Sequence, residues 1–405
     1  MTLRLLLRLL PGVIAVLGTG VVLAQQRPPL TIDTHVDIPF HYMLDPRFDV
    51  GRDTPLKVDL GKMQKGGLDA AFFIIWVPQG PQTAEGYATA VNQAELKYEA
   101  IGRMLMLYPD RIRIARSPAQ LRANKRTGLL SAMIGIENAH SLGHDLHRLD
   151  AAFDRGARYV GLVHVGNNDL CSSSQPDLGA GEPAMNSTAD RGITDFGREV
   201  VRRANALGMM IDVSHASDAC VREVLKTSTA PVIASHSGAR AMLDHPRNLP
   251  DDLLRAIGKG GGVIQAVAYK EFLKDDPQRR QAEEALQQRI AKRLGQAEYD
   301  SETDDYLSLS EDGMREIQAQ FPLPTVDDYV AQIRHMVEVA GIDHVGIASD
   351  FDGGGGITGW NDASETANLT AALHKAGFSS EEIARIWGGN LLRVWSEVEE
   401  HARAH

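Results

Sequence analysis

The sequence predicts an α/β protein, a (β/α)8 barrel of the TIM type with a charged helical insertion before its last strand. Eight short runs rich in Val, Ile and Ala suit strands that are buried on both faces. Helical patterns separate most of the runs, and such alternation is typical of a parallel barrel. Residues of metal-binding types end several runs, where these barrels carry their chemistry. The runs cover residues 31–38, 70–77, 130–138, 158–164, 209–215, 231–237, 261–269 and 344–350.

The predicted helices are marked by their composition and their first turns. A Leu- and Ala-rich segment covers residues 84–107, and Thr194 is placed to cap a helix over 194–207. Further helices are predicted over 217–226, 250–257, 325–339, 363–375 and 380–397. A doubly wound open sheet is the rival fold, but it would gather its ligands at one switch point. The candidate residues follow six different runs, which favours the barrel.

One segment interrupts the alternation of strands and helices. Residues 272–324 are strongly charged and then acidic, which predicts a solvated helical insertion that serves as a lid or an oligomer contact. No internal repeat or low-complexity linker divides residues 25–405. We therefore expect these residues to form a single barrel domain.

The amino-terminal segment has the pattern of a secretory signal peptide. Arg4 and Arg8 precede an apolar stretch over 13–23, and small residues stand at the −3 and −1 positions of a cleavage site after Ala24. The pattern predicts a signal peptide over residues 1–24 and a periplasmic or secreted protein. An uncleaved segment would instead associate the chain with a membrane, but its proline and glycines make a poor spanning helix.

Composition excludes one class of partner. The 405 residues include 42 basic and 53 acidic ones, for a net charge of −11 and no dense basic block, which argues against nucleic acid. Only Cys171 and Cys220 are present, and two cysteines do not make a disulfide framework. Oxidised and free thiols both stay open, and packing is the expected role of Cys220 in its predicted helix.

Two candidate metal ligands end the first run. His35 and Asp37 are two residues apart, so on a regular strand both side chains point to one face, which Asp33 continues. Thr34 would then lie on the opposite face. An isolated His-x-Asp pattern has little specificity. At the end of a barrel strand it gains specificity, because imidazole and carboxylate groups are zinc ligands.

Three more candidates end later runs. Glu137 follows an apolar approach, and burying its carboxylate would require a partner such as an arginine or a metal. His215 and His236 end consecutive runs, so their side chains should meet. A single histidine there is more often a hydrogen-bonded core residue. Two histidines that face a His–Asp pair and a Glu are better interpreted as metal ligands. Such a set suits Zn²⁺, with Mn²⁺ and Fe²⁺ as alternatives.

His164 and Asp350 also end runs and are chemically able to be ligands. Five ligands with one bridging carboxylate already hold two metal ions, which leaves His164 free to stabilise an oxyanion. Asp350 is then free to accept and donate protons. The alternative for Asp350 is an ordinary loop residue ahead of the glycines at 353–356. Those glycines lack the lysine of a phosphate-binding loop and predict a pliant turn beside the site.

Eight motifs carry a family resemblance over essentially the whole chain after the signal segment. They resemble the membrane (renal) dipeptidase family of the amidohydrolase superfamily, in the family's order. The motifs are DTHVDIP, GIENAHSLG, LVHVGNN, GITDFGREVVRRANALGMMIDVSH, PVIASHSGARA, HPRNLPDD, VGIASDFDG and GNLLRVW. The resemblance implies a dipeptidase with a (β/α)8 barrel, two Zn²⁺ ions per subunit and a homodimer.

The resemblance also implies which residues would hold the metal. One Zn²⁺ would be held by His35, Asp37 and Glu137. The other would be held by Glu137, His215 and His236, so that Glu137 bridges the two ions. A hydroxide that also bridges them would attack the peptide carbonyl, because zinc lowers the pKa of bound water.

Three other residues are implied to contact the substrate. His164 matches the substrate-binding histidine of the family and would help to carry the oxyanion. Asp350 matches the aspartate that meets the substrate amino group and passes protons. Arg247 matches the arginine that binds the substrate carboxylate, which it would clamp at two points. Without the resemblance, Arg247 would be interpreted as a surface ion pair.

Two alternatives to a dipeptidase stay open at this point. A related amidohydrolase would act on β-lactams, lactones or N-acyl amino acids. A periplasmic binding protein would keep the pocket without catalysis, although all five ligands and Asp350 are present. His140, His144 and His147 are interpreted as residues outside the first ligand layer, and Tyr269 as a residue that lines the pocket.

Overall fold

A computed structural model describes residues 29–176, 189–295 and 304–404. The predicted signal peptide over residues 1–24 lies outside these residues. Ten strands in the described part of the chain pair in parallel. They are β1 Ile32–Val36, β2 Ala70–Trp76, β3 Ile112–Ile114, β4 Leu130–Glu137, β5 Ala157–Gly161, β6 Met210–Asp212, β7 Ile233–Ala239, β8 Asn248–Leu249, β9 Val263–Val267 and β10 Val345–Ala348.

The predicted barrel is confirmed. Its wall follows the order β1-β2-β4-β5-β6-β7-β9-β10, and each of these strands overlaps one of the predicted runs, although β5 begins one residue before its run and β7 ends two residues after its run. The ring closes between β1 and β10 through two backbone hydrogen bonds. The Asp37 N–H donates to the Phe351 carbonyl at 2.9 Å, and the Asp350 N–H donates to the His35 carbonyl at 3.2 Å. Both bonds lie at the carboxyl ends of the strands, beside the candidate ligands.

The helices alternate with the strands as expected. They are α1 Leu60–Gly66, α2 Ala84–Leu107, α3 Pro118–Arg126, α4 His147–Arg155, α5 Asp195–Leu207, α6 Asp218–Thr227, α7 Asp251–Lys259, α8 Lys270–Leu273, α9 Pro277–Leu294, α10 Asp304–Gln320, α11 Val326–Ala340, α12 Thr366–Lys375, α13 Ser380–Ala384 and α14 Asn390–Ala404. Thr194 caps α5 as predicted, because its hydroxyl accepts the Gly197 N–H at 3.0 Å. The single helix predicted over 380–397 is instead divided by a π-helical turn, Arg385–Gly389.

Side chains alternate between the two faces of each strand, and those that point inward help to close one end of the barrel. In β2, Phe73 packs in the layer between the wall and the outer helices, whereas Phe72 packs in the interior. The Phe72 ring lies 5.0 Å from the ring of Tyr159 and 6.0 Å from that of Trp395 in α14. The interior cluster also contains the first residues of several strands. Helix α14 thus covers the end at which the strands begin, and the carboxyl ends stay accessible.

The predicted helical insertion consists of α9 and α10. These helices pack around their own small core of Leu286, Ile290, Tyr306 and Ile317. Glu283 in α9 accepts a hydrogen bond from Lys270 in α8 at 2.7 Å and ties the insertion to the barrel rim. Residues 296–303 lie outside the described part of the chain.

Cys171 and Cys220 form a disulfide, with their Cα atoms 6.1 Å apart. The bond joins the segment before α5 to α6, so Cys220 is a crosslink as well as a packing residue. Within residues 29–176, 189–295 and 304–404, every helix is too short or too polar to cross a membrane.

Candidate functional site

The end of β1 places His35 and Asp37 inside the barrel mouth. The His35 side chain is completely buried, and its Nε2 lies 3.6 Å from Asp37 Oδ2. No hydrogen-bond partner of this nitrogen is found among the described residues. A buried ring nitrogen facing a carboxylate is a ready ligand atom for a cation.

The predicted alternation of faces along β1 is wrong at Thr34. The register between β1 and β2 shifts between Asp33 and Val36. The Thr34 hydroxyl donates to the Ser235 carbonyl in β7 at 2.7 Å, and β7 is not adjacent to β1 in the wall. Thr34 therefore points into the barrel, as His35 does. Asp33 accepts the N–H of Ser349 at 3.0 Å and does not join the groups of possible metal ligands in the described part of the chain.

Glu137 stands at the centre of the site, and its two oxygens face two sets of histidines. Oε2 lies 3.4 Å from His35 Nε2. Oε1 lies 3.0 Å from His215 Nε2 and 3.4 Å from His236 Nε2. The two Nε2 atoms of His215 and His236 are themselves 3.0 Å apart. A carboxylate placed in this way can bridge two cations.

His164 lies beside the central carboxylate, and Asp350 lies beside His35. The His164 ring lies 4.2 Å from the His215 ring, and its Nε2 lies 3.9 Å from Glu137 Oε1. Asp350 Oδ1 lies 3.9 Å from His35 Nε2. Among the described residues, three groups have ligand atoms that all lie within 4.8 Å of one another. His164 belongs to one of these groups and Asp350 to another, so distance alone permits either of them as a metal ligand. The groups are His35, Glu137 and His236; Glu137, His164 and His215; and His35, Asp37 and Asp350.

Backbone strain is concentrated in the same place. His215 and Asp350 have φ angles of 67° and 58°, in the left-handed region that costs an L-residue about 1–2 kcal/mol. Such strain persists only where the surroundings hold it, and it clusters at functional sites. The glycines after Asp350 lie beside the site, as predicted. A Cβ atom on Gly353 would stand 2.1 Å from Asp37 Oδ2, so this turn can approach the carboxylate only with glycine.

Burial and charge favour a bound cation. Burial lowers the pKa of His164, His215 and His236, which keeps each imidazole neutral with a lone pair for a metal. Burial raises the pKa of Asp350, and the neighbouring charges of Asp37 and Glu137 raise it further. Carboxylates and neutral imidazoles crowded out of water are a donor set that fits a divalent metal ion.

Arg247 is buried beside the ligands, so its interpretation as a surface ion pair is wrong. Arg247 is only 2% exposed, and burial lowers the pKa of its guanidinium to about 10. Nη2 donates to the His236 carbonyl at 2.9 Å, and the guanidinium lies 5.4 Å from the centre of the Phe272 ring. Nε has no hydrogen-bond partner in the described part of the chain. Local sequence offered no signal for this burial.

A cavity of about 620 Å³ opens over these residues. Asp37, Glu137, His164, His215, His236, Arg247 and Asp350 line its floor and walls. Tyr269 also lines it, in agreement with the prediction, and Phe40 and Trp76 add an apolar side.

Lys97, which the sequence did not single out, lines the same cavity. Its Nζ lies 4.9 Å from the centre of the Phe40 ring and 5.2 Å from that of the Trp76 ring.

His140, His144 and His147 do not line this cavity. His140 is buried in the turn Ala139–Leu142 that follows β4, His144 pairs with Asp169, and His147 begins α4. Their positions outside the ligand cluster agree with the sequence interpretation.

Comparison with known proteins gives further evidence on the family of this chain. The family model for membrane dipeptidase (peptidase family M19) matches residues 23–405. Dipeptidase tcpJ of Claviceps purpurea (strain 20.1) is 28% identical over 369 residues, which cover 90% of this chain and 74% of that protein. The crystal structure of the probable dipeptidase PvdM from Pseudomonas aeruginosa superimposes with a TM-score of 0.78 at 32% identity, covering 92% of this chain and 96% of that one.

A more distant structure shows the same fold. It is a metallo peptidase from Rhodobacter sphaeroides, solved with a phosphinate mimic of the dipeptide L-Ala-D-Ala. Its TM-score is 0.71 at 23% identity, and the match covers 92% of this chain and 100% of that one.

Proposed function

Since the chain belongs to the membrane dipeptidase family (peptidase family M19) and is a metallo-dipeptidase, we propose that it cleaves the peptide bond of dipeptides with two zinc ions. The observation that carries the proposal is the position of Glu137. Its two oxygens lie 3.4 Å from His35 Nε2 and 3.0 Å from His215 Nε2, so one carboxylate reaches both halves of the ligand cluster.

The ligands divide naturally about this carboxylate. His35, Asp37 and Glu137 would hold one ion, and Glu137, His215 and His236 the other. The mixture of nitrogen and carboxylate oxygen suits Zn²⁺. When bound, the two ions would supply a Lewis acid for the peptide carbonyl and a nucleophilic water of lowered pKa.

The remaining polar groups fit the two ends of a short peptide. Arg247 would bind the terminal carboxylate, because its buried guanidinium lines the cavity beside the proposed ligands. Asp350 would contact the free amino group and hold the proton that passes to the leaving amine, which its raised pKa favours. His164 would donate to the carbonyl oxygen as negative charge develops there.

This arrangement limits the length of the substrate. With Asp350 at the amino end and Arg247 at the carboxyl end, the metal cluster between them meets the only peptide bond of a dipeptide. A longer peptide would place its carboxylate beyond Arg247 or its amino group beyond Asp350. We therefore expect dipeptides to be cleaved and longer peptides to be poor substrates.

The test is hydrolysis of a dipeptide library, with L and D residues at the second position, by metal-free and zinc-loaded protein. Zinc-dependent cleavage of dipeptides, with two zinc ions bound per chain, is the expected result. Matched N-acyl amino acids keep the carboxylate and lack the amino group. Their cleavage in place of dipeptides would favour the other amidohydrolase activity, and no zinc-dependent hydrolysis of either would contradict the proposal.

We also propose that the protein is exported, with cleavage after Ala24, and forms a homodimer. The disulfide between Cys171 and Cys220 supports an oxidising compartment. Amino-terminal sequencing of the protein from cell fractions and light scattering of the purified protein test the two points. A cytosolic protein with an intact amino terminus, or a monomeric mass, would contradict the respective point.

A further inference from the structure

We propose that Tyr159, Ser235 and Asp212 are positioning residues that set the tautomers of His35 and His236, so that both rings present an unprotonated Nε2 to metal. The inference rests on the metal-binding role of the two histidines in the proposed function. Tyr159, Asp212 and Ser235 lie on β5, β6 and β7, below the ligand layer of the barrel. All three are almost completely buried.

The first half of the argument concerns His35. The Tyr159 hydroxyl lies 3.1 Å from His35 Nδ1 and donates to the Thr34 carbonyl, also at 3.1 Å. A carbonyl can only accept, so the one proton of the hydroxyl is used at Thr34. The hydroxyl can therefore only accept at Nδ1, which requires the proton of the neutral ring to be on Nδ1. Nε2 is left with a lone pair, 3.4 Å from Glu137 Oε2.

The second half concerns His236. Its Nδ1 lies 2.8 Å from the Ser235 hydroxyl, which donates to Asp212 Oδ2 at 2.6 Å. A charged carboxylate is the stronger acceptor for the single hydroxyl proton. The hydroxyl must then accept from Nδ1, and the His236 lone pair is again on Nε2, 3.4 Å from Glu137 Oε1.

The carboxylate that starts this chain of bonds is firmly oriented. Asp212 Oδ1 accepts the backbone N–H groups of Ser214 at 3.0 Å and Ser235 at 2.7 Å. Oδ2 is thereby directed at the Ser235 hydroxyl.

The tautomer of one histidine in each proposed zinc site is fixed by these hydrogen bonds. His35 belongs to one site and His236 to the other, whereas His215 Nδ1 is buried without a hydrogen-bond partner among the described residues. Partners of this kind orient metal-binding imidazoles and raise their basicity, and their loss typically lowers metal affinity about 10–100-fold.

The sharpest test is the Asp212→Asn variant. The two backbone N–H groups would hold the amide oxygen at the Oδ1 position, so the amide nitrogen would donate to Ser235. The Ser235 proton would then go to His236 Nδ1, and the ring proton would move to Nε2, the ligand atom. This inversion of a tautomer needs almost no change in side-chain volume. The matched control is Asp59→Asn, which changes a buried aspartate that caps α1 and makes its side-chain hydrogen bonds to Thr54 and Lys62 and to no proposed ligand.

Tyr159→Phe tests the other arm, with Tyr329→Phe as its control. Tyr329 is also buried, and its hydroxyl donates to the Ala266 carbonyl at 2.6 Å without contacting a proposed ligand. Ser235→Ala, which removes the hydroxyl, is the second variant on the His236 arm. Should Asp212→Asn fail to fold, Ser235→Ala decides the result for that arm.

The measurement is the affinity of the metal-free protein for each Zn²⁺ ion, by competition with a chromophoric chelator. Asp212→Asn and Tyr159→Phe should each weaken one of the two zinc ions about 10–100-fold, and the two controls should keep wild-type affinities. Thermal unfolding of the metal-free proteins separates this effect from general destabilisation, since each variant and control should still be folded at the temperature of the affinity measurement.

The outcome is separable from the fate of the proposed function. If the wild-type protein binds two zinc ions and cleaves dipeptides, but the variants bind zinc as tightly as their controls, only the positioning inference is overturned. If the wild-type protein binds no zinc, the proposed metal centre is overturned first and the inference with it.

Discussion

The role proposed for Arg247 makes a quantitative prediction. In the Arg247→Ala variant, the terminal carboxylate of a dipeptide would lose its partner, while the ligands around Glu137 would keep their positions. Nη2 is already engaged with the His236 carbonyl at 2.9 Å, and Nη1 lies 3.5 Å from the Ser237 hydroxyl. Each of these two terminal nitrogens carries two N–H groups, so one N–H on each is left to hold a carboxylate oxygen.

The size of the effect follows from that geometry. A hydrogen bond to a charged group contributes about 1.5–3 kcal/mol, and two such bonds contribute about 3–6 kcal/mol. Because Arg247 is only 2% exposed, solvent screens these bonds very little. At about 1.4 kcal/mol for each factor of ten, kcat/KM for a dipeptide should fall about 10²–10⁴-fold.

The assay compares a dipeptide with its carboxamide, which keeps the shape and lacks the charge. For the amide, Arg247→Ala should cost only about 10–10²-fold, because its single carbonyl oxygen accepts one hydrogen bond from the charged guanidinium, which contributes about 1.5–3 kcal/mol. Arg247→Lys keeps the charge without the two-point geometry and should fall between wild type and Arg247→Ala. Equal losses on both substrates, with zinc content unchanged, would refute the carboxylate clamp. Loss of zinc in the variant would show instead that Arg247 supports His236.

Four further predictions follow from the same geometry. Asp350→Asn should lower kcat about 10²–10⁴-fold while zinc content stays at the wild-type value, and zinc loss would count against a proton-transfer role. His236→Ala should reduce bound zinc measured by atomic emission, so full retention would contradict its assignment as a ligand. Gly353→Ala should lower zinc affinity, because its Cβ would stand 2.1 Å from Asp37 Oδ2, and wild-type affinity would contradict that packing. Gly102 lies on an exposed face of α2, with open space around the methyl group that Gly102→Ala would add. This variant should keep its zinc affinity and raise the free energy of unfolding, measured by urea denaturation, by about 0.5–1 kcal/mol. A destabilised variant would show that the added methyl group does not fit there.

Local sequence patterns predicted the long strands and helices but missed several short ones. The eight predicted runs each overlap a wall strand, since strands buried on both faces are continuously apolar over several residues. The unpredicted strands Ile112–Ile114 and Asn248–Leu249 are too short to show a period. Helices Leu60–Gly66, Pro118–Arg126 and His147–Arg155 were also missed, although Asp251–Lys259, which is no longer than the last two, was predicted.

Irregular backbone defeated period-based reasoning at the site itself. The spacing of His35 and Asp37 predicted a shared face, but the register shift in β1 also turns Thr34 inward. The positive φ angles of His215 and Asp350 are likewise held by surrounding tertiary contacts. Neither feature leaves a mark in a residue pattern, because both depend on what packs against the strand ends.

The sequence by itself determined the order of the strands, the placement of acids and histidines at their ends, and the family resemblance. Those features are local, since an apolar run and the residue that ends it are set by neighbours along the chain. Tertiary structure alone decided the distances at which these groups meet, because barrel closure brings Glu137 against His35 and His215 across more than a hundred and about eighty positions, respectively. It also decided the burial of Arg247 and the contacts of Tyr159 and Ser235 with ring nitrogens of His35 and His236. These contacts join side chains from separate strands, and their distances exist only once the barrel has closed.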